Sequence, residues 1–282
     1  MDFQSLVNNI ESLPPLSDAA NSIEELYVGG SDNVNVAKLI ELIESDALLT
    51  ANILKMINAP IYSFSKKIIS VGQAVTLFGT DRVYGLVVNY SVREKIKADT
   101  KPYGLSNSRF NDMCHLQSNL MMEWFSTINP QQAEILASLA LIMESGKLVL
   151  IKEIQESNYS KEFTRGIKAC SSISEYEHDL IETTSYFLSG LLFEHWNLEP
   201  LYVEILKGLD FERKNSRKVE YFISSLDVVR TAINVKEILS KNSIERASEI
   251  VEDMGLDSEH FISVANMVKR TYVDTMKKRH EV

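Results

Sequence analysis

Apolar residues recur at helical spacing along almost the whole chain, and this periodicity constrains the fold more than any other feature. Leu39, Ile40 and Ile43, for example, lie three or four residues apart, which places them on one face of a helix. No segment alternates between apolar and polar residues for long, as a half-buried strand would. Glycine and proline number only 11 and 6, about 4% and 2% of the chain against about 7% and 5% in typical proteins. The sequence therefore predicts an all-α fold.

Start and stop signals divide this pattern into separate helices. Ser70 followed by Gln73, and Ser174 followed by Glu177, have the spacing of capping boxes, which begin helices. Gly79 is typical of a helix end. The predicted helices lie near residues 3–12, 17–28, 35–44, 46–58, 70–78, 81–97, 108–127, 131–143, 145–156, 160–170, 174–182, 184–196, 199–208, 217–240, 244–254 and 258–279.

The polar stretch at residues 213–216 is the best candidate for a domain boundary. Residues 213–282 carry 13 basic and 11 acidic side chains, so the whole-chain charge of −10 leaves −12 on residues 1–212. We predict a helical domain over residues 12–212 and a C-terminal helical extension over residues 213–282 that packs on it. The acidic balance opposes nucleic-acid binding, which draws its affinity mainly from Lys and Arg. A basic partner surface would suit residues 1–212.

Cysteine usage and hydropathy indicate a cytoplasmic protein. Two cysteines, Cys114 and Cys170, cannot build a disulfide framework, and the N-terminus lacks the basic start and apolar run of a signal peptide. We therefore expect a reducing compartment. The densest apolar stretch, residues 136–143, is far shorter than the roughly 18–20 residues that span a bilayer. We expect no membrane insertion.

Three stretches carry local features in a definite order after Leu13-Pro14-Pro15-Leu16. Residues 45–62 form an aspartate-led helix that ends in Asn58-Ala59-Pro60-Ile61-Tyr62. Residues 70–83 give a capped helix, a glycine break and a following helix, and residues 141–148 with 190–196 give two helix breaks and a Trp-bearing helix.

In this order, the features resemble the HDOD family, bacterial regulatory domains related to the metal-dependent HD phosphohydrolases. Pro60 departs from the family's Asn-Ser-x-x-Tyr-type turn. The resemblance covers residues 12 to about 210. It implies an HD-like multi-helix bundle, to which the C-terminal extension adds further helices.

The HD phosphohydrolases hold metal ions with a lone His, a His-Asp pair and a later Asp. By resemblance the lone His is His115, but Met143-Glu144 stands where the pair belongs, before Gly146-Lys147. A thioether is a poor ligand for oxygen-preferring metals. Thr184-Ser185 stands where a related domain can offer an acid or an imidazole. His115 and Glu144 are therefore vestigial candidates, and we predict no metal, no cofactor and no catalytic residue.

Two other arrangements imitate active-site motifs. The dipeptide His178-Asp179 lies about 35 residues too late, and neighbours on a helix point about 100° apart. Its acidic surroundings favour a solvated helix face. Cys114 and His115 are adjacent, so on a helix they cannot face one another as a nucleophile and its base.

The function predicted from these observations is that of a non-catalytic regulatory protein in signal transduction, which acts through binding of a protein partner or a small ligand. One alternative is a degenerate metal-dependent phosphohydrolase that uses His115 and Glu144. Another is a metal-independent nucleotide sensor. Lys147, Arg82 and Arg93 are available cations for a nucleotide, although solvated helix positions account for them equally well.

Overall fold

The computed structural model describes residues 3–62, 64–210 and 216–280, apart from the side chains of Asp32, Lys278, Arg279 and His280. The described residues are mostly helical, and the predicted all-α fold is confirmed. Short 3₁₀ turns lie at Ser31–Asn33, Pro60–Tyr62 and Lys101–Tyr103. The α-helices are α1 (Phe3–Glu11), α2 (Asp18–Tyr27), α3 (Val36–Ser45), α4 (Ala47–Ile57), α5 (Val71–Phe78), α6 (Thr80–Lys95), α7 (Asn107–Phe125), α8 (Pro130–Ile142), α9 (Ser145–Glu156), α10 (Ser160–Ala169), α11 (Ile173–Ile181), α12 (Ser185–His195), α13 (Pro200–Gly208), α14 (Arg217–Ala232), α15 (Lys241–Asp253) and α16 (Ser258–His280).

The junction of α5 and α6 follows from the predicted cap and glycine. The Ser70 hydroxyl accepts a hydrogen bond from the backbone N–H of Gln73 (3.2 Å) and starts α5. Gly79 ends α5 with φ +84°, a conformation that L side chains rarely adopt. A Cβ atom there would also lie 2.2 Å from Oε2 of Glu134. The position therefore requires glycine.

The predicted capping box at Ser174 is wrong. The N-cap of α11 is Ser172, whose hydroxyl accepts from the backbone N–H of Glu175 (3.3 Å). Glu177 cannot reach back to cap the helix because its side chain is fully buried in the protein interior. That burial becomes important at the candidate site.

The predicted helix over residues 217–240 is too long, since α14 ends at Ala232. The Asn234 side chain accepts hydrogen bonds from the backbone N–H groups of Lys236 and Glu237, at 3.0 Å each. Asparagine that binds its own following backbone competes with a helix and favours a turn. A helix-period pattern alone did not distinguish this turn from a continued helix.

Helices α9 and α12 pack closely against each other at Gly146. A Cβ atom at Gly146 would lie 1.9 Å from the carbonyl oxygen of Ser185, so only glycine fits between the two backbones. The Gly146 N–H also donates to the Ser189 hydroxyl (2.8 Å). The glycine after Met143-Glu144 therefore sets the spacing of α9 and α12.

The C-terminal helices share the core of the preceding helices. Phe261 of α16 packs edge-on against Trp124 of α7, with ring centroids 5.2 Å apart. Tyr221 of α14 lies 5.9 Å from Phe125 in the same way. The proposed boundary at residues 213–215 falls outside the described residues, and the division into two domains stays a prediction.

Across the part of the chain that the structure describes, no helix has the length and apolar character to cross a membrane.

Phe261→Ala should lower the free energy of unfolding by about 3–5 kcal/mol, because it removes a fully buried ring that packs on Trp124. Urea denaturation measures the change. Met267→Ala is the control, since this side chain lies on the same helix and is 41% exposed; its effect should stay within about 0.5 kcal/mol. Equal effects of the two substitutions would show that α16 does not depend on this core contact.

Candidate functional site

The Lys147 ammonium lies at the centre of a buried polar cluster, which we call the lysine cluster (Lys147, Glu144, Glu177 and Ser185). The Lys147 side chain is in the first turn of α9, and the residue is 1% exposed. Its Nζ lies 2.8 Å from Oε2 of Glu144 and 3.6 Å from Oε1 of Glu177. It also donates to the Ser185 hydroxyl (2.8 Å). One cation thus bridges two buried carboxylates.

Two further donors bind the other carboxylate oxygen of Glu144, Oε1. Gln117 of α7 donates from Nε2 to Oε1 of Glu144 (2.8 Å), and the Tyr186 hydroxyl donates to the same oxygen (3.4 Å). Gln117 Nε2 also donates to the backbone carbonyl of Ile233 (2.9 Å), immediately after α14. The end of α14 therefore supports the cluster from the C-terminal extension.

Both carboxylate oxygens of Glu177 accept hydrogen bonds. The Tyr103 hydroxyl donates to its Oε1 (2.5 Å), and the backbone N–H of Ser185 donates to its Oε2 (2.8 Å). Ser185 is the first residue of α12, where a carboxylate is favoured by the free N–H groups and the helix dipole. Glu177 thus joins α11 to the start of α12.

The lysine cluster keeps Lys147 charged. Burial lowers the pKa of its ammonium, but the charges of Glu144 and Glu177 outweigh that effect, so the pKa lies above its usual value. The ring centroids of Tyr103 and Tyr186 lie 5.4 and 4.4 Å from Nζ, close enough for cation–π attraction. The ammonium is therefore a permanent charge at neutral pH.

His115 lies in a different environment from Glu144. The Tyr62 hydroxyl oxygen lies 2.5 Å from its Nδ1, and the two atoms form a hydrogen bond. Burial, aided by the charges of Arg93 and Arg82, lowers the pKa of His115 to about 3, so the imidazole is neutral.

The helical geometry of α7 explains why the two vestigial candidates do not meet. His115 and Gln117 are two positions apart, which is a rotation of about 200° around the helix. Gln117 faces Glu144, so His115 faces the opposite side, toward Tyr62. Among the described residues, no hydrogen bond or ion pair joins His115 to Glu144.

The donors present do not fit an HD metal centre. Glu144 faces the Lys147 ammonium, which would repel a divalent cation at the same place. In the described ranges, no group of three or more His, Cys, Asp and Glu side chains is arranged to hold a metal ion. We therefore derive no chemical step through a metal.

The structure separates the remaining candidates into exposed and buried groups. His178 and Asp179 are exposed on α11, as the prediction of a solvated face requires. Their neighbour Glu177 is fully buried, so the acidic run is not one uniform solvated surface. The expectation of solvated positions is also wrong for Lys147 and Arg82, which are buried in the interior.

Cys114 and the Thr184-Ser185 pair serve local structural roles. Cys114 is buried, and burial raises the pKa of its thiol to about 12, which disfavours the nucleophilic thiolate. The Thr184 hydroxyl caps α12 by accepting from the backbone N–H of Phe187 (3.4 Å). Ser185 belongs to the lysine cluster.

The Leu-Pro segment at residues 13–16 and Trp196 lie beside a cleft of about 470 Å³. Trp196 donates from its indole N–H to the backbone carbonyl of Pro14 (3.2 Å). Glu24 lines the cleft and accepts from the Tyr84 hydroxyl (2.6 Å), and burial raises the pKa of Glu24 to about 8. The Leu-Pro segment and the Trp-bearing helix are thus structural partners.

With this geometry established, comparison with known proteins decides the family. The family model of the HDOD domain matches residues 13–208 of this chain. The chain belongs to the HDOD family.

Solved structures have the same fold as this HDOD protein. A putative signal transduction protein from Marinobacter aquaeolei VT8 has a TM-score of 0.71 and 19% identity, and the match covers 95% of this chain and 59% of that one. A putative phosphohydrolase from Shewanella amazonensis SB2B has a TM-score of 0.70 and 15% identity, with 96% of each chain covered. An HDOD domain protein with unknown function from Geobacter sulfurreducens has a TM-score of 0.64 and 14% identity, also with 96% of each chain covered. No curated protein matches this chain.

Lys147→Met should destabilise this HDOD protein by about 3–5 kcal/mol, because it leaves two buried carboxylates without their cation. Chemical denaturation at pH 7 measures the loss. Lys152→Met makes the same chemical change on α9 at a half-buried position and is the matched control. Adding Glu144→Gln and Glu177→Gln to Lys147→Met should recover part of the stability. Equal effects of the two Lys→Met substitutions would contradict the role of the cluster.

His115 should make stability depend on pH below about 6.5. The unfolded chain takes up a proton on His115 near pH 6.5, whereas the folded chain does so only near pH 3. This contribution to stability is therefore present above pH 6.5 and lost as the pH falls toward 3. Compared with His115→Gln, the wild type should lose about 1 kcal/mol more per pH unit in this window.

Denaturation midpoints at pH 4 to 7 test this dependence. His178→Gln, which changes an exposed histidine, is the control and should keep the wild-type slope. If His115→Gln also keeps the wild-type slope, the buried neutral imidazole is not the source of the pH dependence.

Proposed function

We propose that this HDOD protein is a non-catalytic regulatory component of a signal-transduction pathway that acts by binding a partner protein. The observation that carries the proposal is the Lys147 ammonium, which pairs with Glu144 where the HD enzymes need a metal-binding His-Asp pair. The HDOD family assignment and a structural neighbour named as a signal transduction protein support the regulatory part.

An ammonium ion does not perform the chemistry of a metal ion. A metal polarises a phosphoryl oxygen and lowers the pKa of a bound water, so that hydroxide forms near neutral pH. The Lys147 ammonium is directed at Glu144, Glu177 and Ser185, and none of these residues is more than 5% exposed. A phosphorylated substrate has no access to such a cluster without unfolding its surroundings.

The alternative of a degenerate phosphohydrolase requires a different arrangement of side chains. His115 would have to leave the Tyr62 hydroxyl, and Glu144 would have to exchange Lys147 for a metal ion. Each change would break a buried interaction, and losing a partner in a buried ion pair costs about 3–5 kcal/mol. Metal binding would have to supply that free energy.

A nucleotide sensor is supported by one place on the surface. A cleft of about 410 Å³ is lined by Arg93, Lys97, Thr100 and Asn107, which together offer two cations and two polar side chains. Asp99 lines the same cleft and would repel phosphate groups. The cleft therefore supports this alternative less strongly than the lysine cluster supports the binding protein.

A cytoplasmic location belongs to the proposal. Cys114 and Cys170 are both free thiols, which suits a reducing compartment.

Elemental analysis of the purified protein should find no stoichiometric metal, because Glu144 and His115 are already occupied by Lys147 and Tyr62. Titration with manganese, iron or zinc should leave the melting temperature unchanged, since a ligand of the folded state would raise it. His115→Ala should show the same absence of metal-dependent stabilisation. Phosphatase activity with added manganese should stay at background in both proteins.

Stoichiometric metal that raises the melting temperature, and is lost in His115→Ala, would contradict the proposal and favour the enzyme. Melting with ATP, GTP or a cyclic dinucleotide in the presence of EDTA addresses the sensor. A rise that Arg93→Gln abolishes would favour nucleotide binding at the cleft beside α6.

A further inference from the structure

Arg82 lies at a cleft of about 230 Å³ between α5, α7 and the turn that ends at Tyr62. Tyr62 and Phe78 form aromatic walls, and Phe64 and Leu77 lie at the rim. This cleft is separate from the lysine cluster, since Arg82 belongs to α6 and contacts neither of its carboxylates. We call it the Arg82 cleft.

The Arg82 guanidinium packs against aromatic rings, and two of its three nitrogen atoms have no hydrogen-bond partner among the described residues. Its central carbon lies 3.7 Å from the ring centroid of Phe78 and 5.5 Å from that of Tyr62. The residue is 7% exposed. Within the described part of the chain, its Nε and Nη2 have no hydrogen-bond partner. Stacking on an aromatic face leaves the in-plane N–H donors free to meet a ligand.

Two other cations of this protein have carboxylate partners. The buried Lys147 pairs with Glu144, and the partly buried Arg230 pairs with Asp227 at 2.5 Å. A buried charge is costly unless it is paired and hydrogen-bonded. Nε of Arg93 also has no hydrogen-bond partner, so the two unpaired donors of Arg82 indicate an acceptor from outside the described residues only together with the lining of its cleft.

The charged groups around Arg82 limit what that acceptor can be. Glu123 lines the cleft and Glu134 lies near Gly79, and their negative charges act on Arg82 at long range. Among the described residues, neither forms an ion pair with it. A carboxylate carries one negative charge, which balances the single positive charge of the Arg82 guanidinium. A phosphate brings nearly two charges at neutral pH, and Glu123 would repel the second.

The rim of the Arg82 cleft favours a protein segment over a small free anion. Leu77 is 59% exposed and Phe64 is 37% exposed. A small anion would leave both apolar side chains in water, whereas a peptide carries apolar side chains that can cover them. Lys66 and Lys67, exposed in the loop that follows Phe64, would attract an acidic segment.

We propose that the Arg82 cleft docks an acidic, apolar segment of a partner protein. One Asp or Glu carboxylate of the segment pairs with the Arg82 guanidinium, and a neighbouring apolar side chain packs on Phe64 and Leu77. Because Nε and Nη2 are buried, the exposed side chains at the rim have to move aside when the segment binds. The inference deepens the proposed function by naming the place and chemistry of partner binding. Local basic groups here select an acidic partner, although residues 1–212 carry a net negative charge.

Selection from a random peptide library displayed on phage, with the full chain as bait, tests the proposal. The wild type should enrich peptides that contain an Asp or Glu beside an aliphatic or aromatic residue. A synthetic peptide of the enriched sequence, measured by fluorescence anisotropy, should bind at least about tenfold more weakly when its acid is replaced by the amide. Hydrogen bonds to charged groups are worth about 1.5–3 kcal/mol, which corresponds to tenfold or more.

Variants locate the binding site on the protein. Arg82→Gln should weaken peptide binding at least about tenfold, while Arg93→Gln, which changes the other arginine of α6, should not. Leu77→Glu keeps the test decisive if Arg82→Gln fails to fold, because Leu77 is exposed. It places a negative charge at the rim and should also weaken binding.

Several outcomes would overturn the proposal. These are no enrichment, enriched peptides without acidic residues, equal binding of acid and amide peptides, or binding that neither Arg82→Gln nor Leu77→Glu weakens. Displacement of the peptide by millimolar acetate or phosphate, with Leu77→Glu unchanged, would identify a small-anion site instead. These results are independent of the metal analysis, so failure of this inference leaves the non-catalytic role open to its own test.

Discussion

The pairing of one buried lysine with two buried carboxylates constrains the packing of the domain. Taking a charged group out of water costs several kcal/mol, and a buried ion pair compensates only when its geometry and its other hydrogen bonds are complete. Lys147, Glu144 and Glu177 satisfy that condition because donors reach them from α7, α12 and the turn at Lys101–Tyr103. A shift of α9 relative to α12 would break several interactions at once, which gives the close contact at Gly146 its importance.

This requirement extends to the C-terminal helices. Gln117 has two acceptors, Glu144 in the cluster and the carbonyl of Ile233, so the turn after α14 helps to place the amide. Arg230, one turn earlier, lies 4.5 Å from the Tyr186 ring and donates to the carbonyl of Leu209. The C-terminal helices therefore do more than cover an apolar face, since they complete the polar surroundings of a buried charge.

Sequence reasoning predicted most helices because their signals are local. Ser70 and Gly79 fix a helix start and a helix end through hydrogen bonds and backbone angles within a few residues. The lysine cluster was missed because it joins residues far apart in the chain, as in the bond from Tyr103 to Glu177. One local signal was available, since Glu144 and Lys147 form an i, i+3 pair inside an otherwise apolar segment, and charged side chains are rarely buried unless they are paired. Nothing local distinguished Glu177 from its exposed acidic neighbours.

The two cationic sites on α6 and α9 differ in what they leave for a ligand. At Lys147 the protein supplies every partner itself, so this region gains a fixed structure and has no group left to bind or polarise a substrate. At Arg82 the aromatic walls hold the guanidinium in place, but its Nε and Nη2 have no hydrogen-bond partner among the described residues. Under the two proposals made above, an internal ammonium organises the core of this HDOD protein, and a distinct, partly open cleft serves recognition.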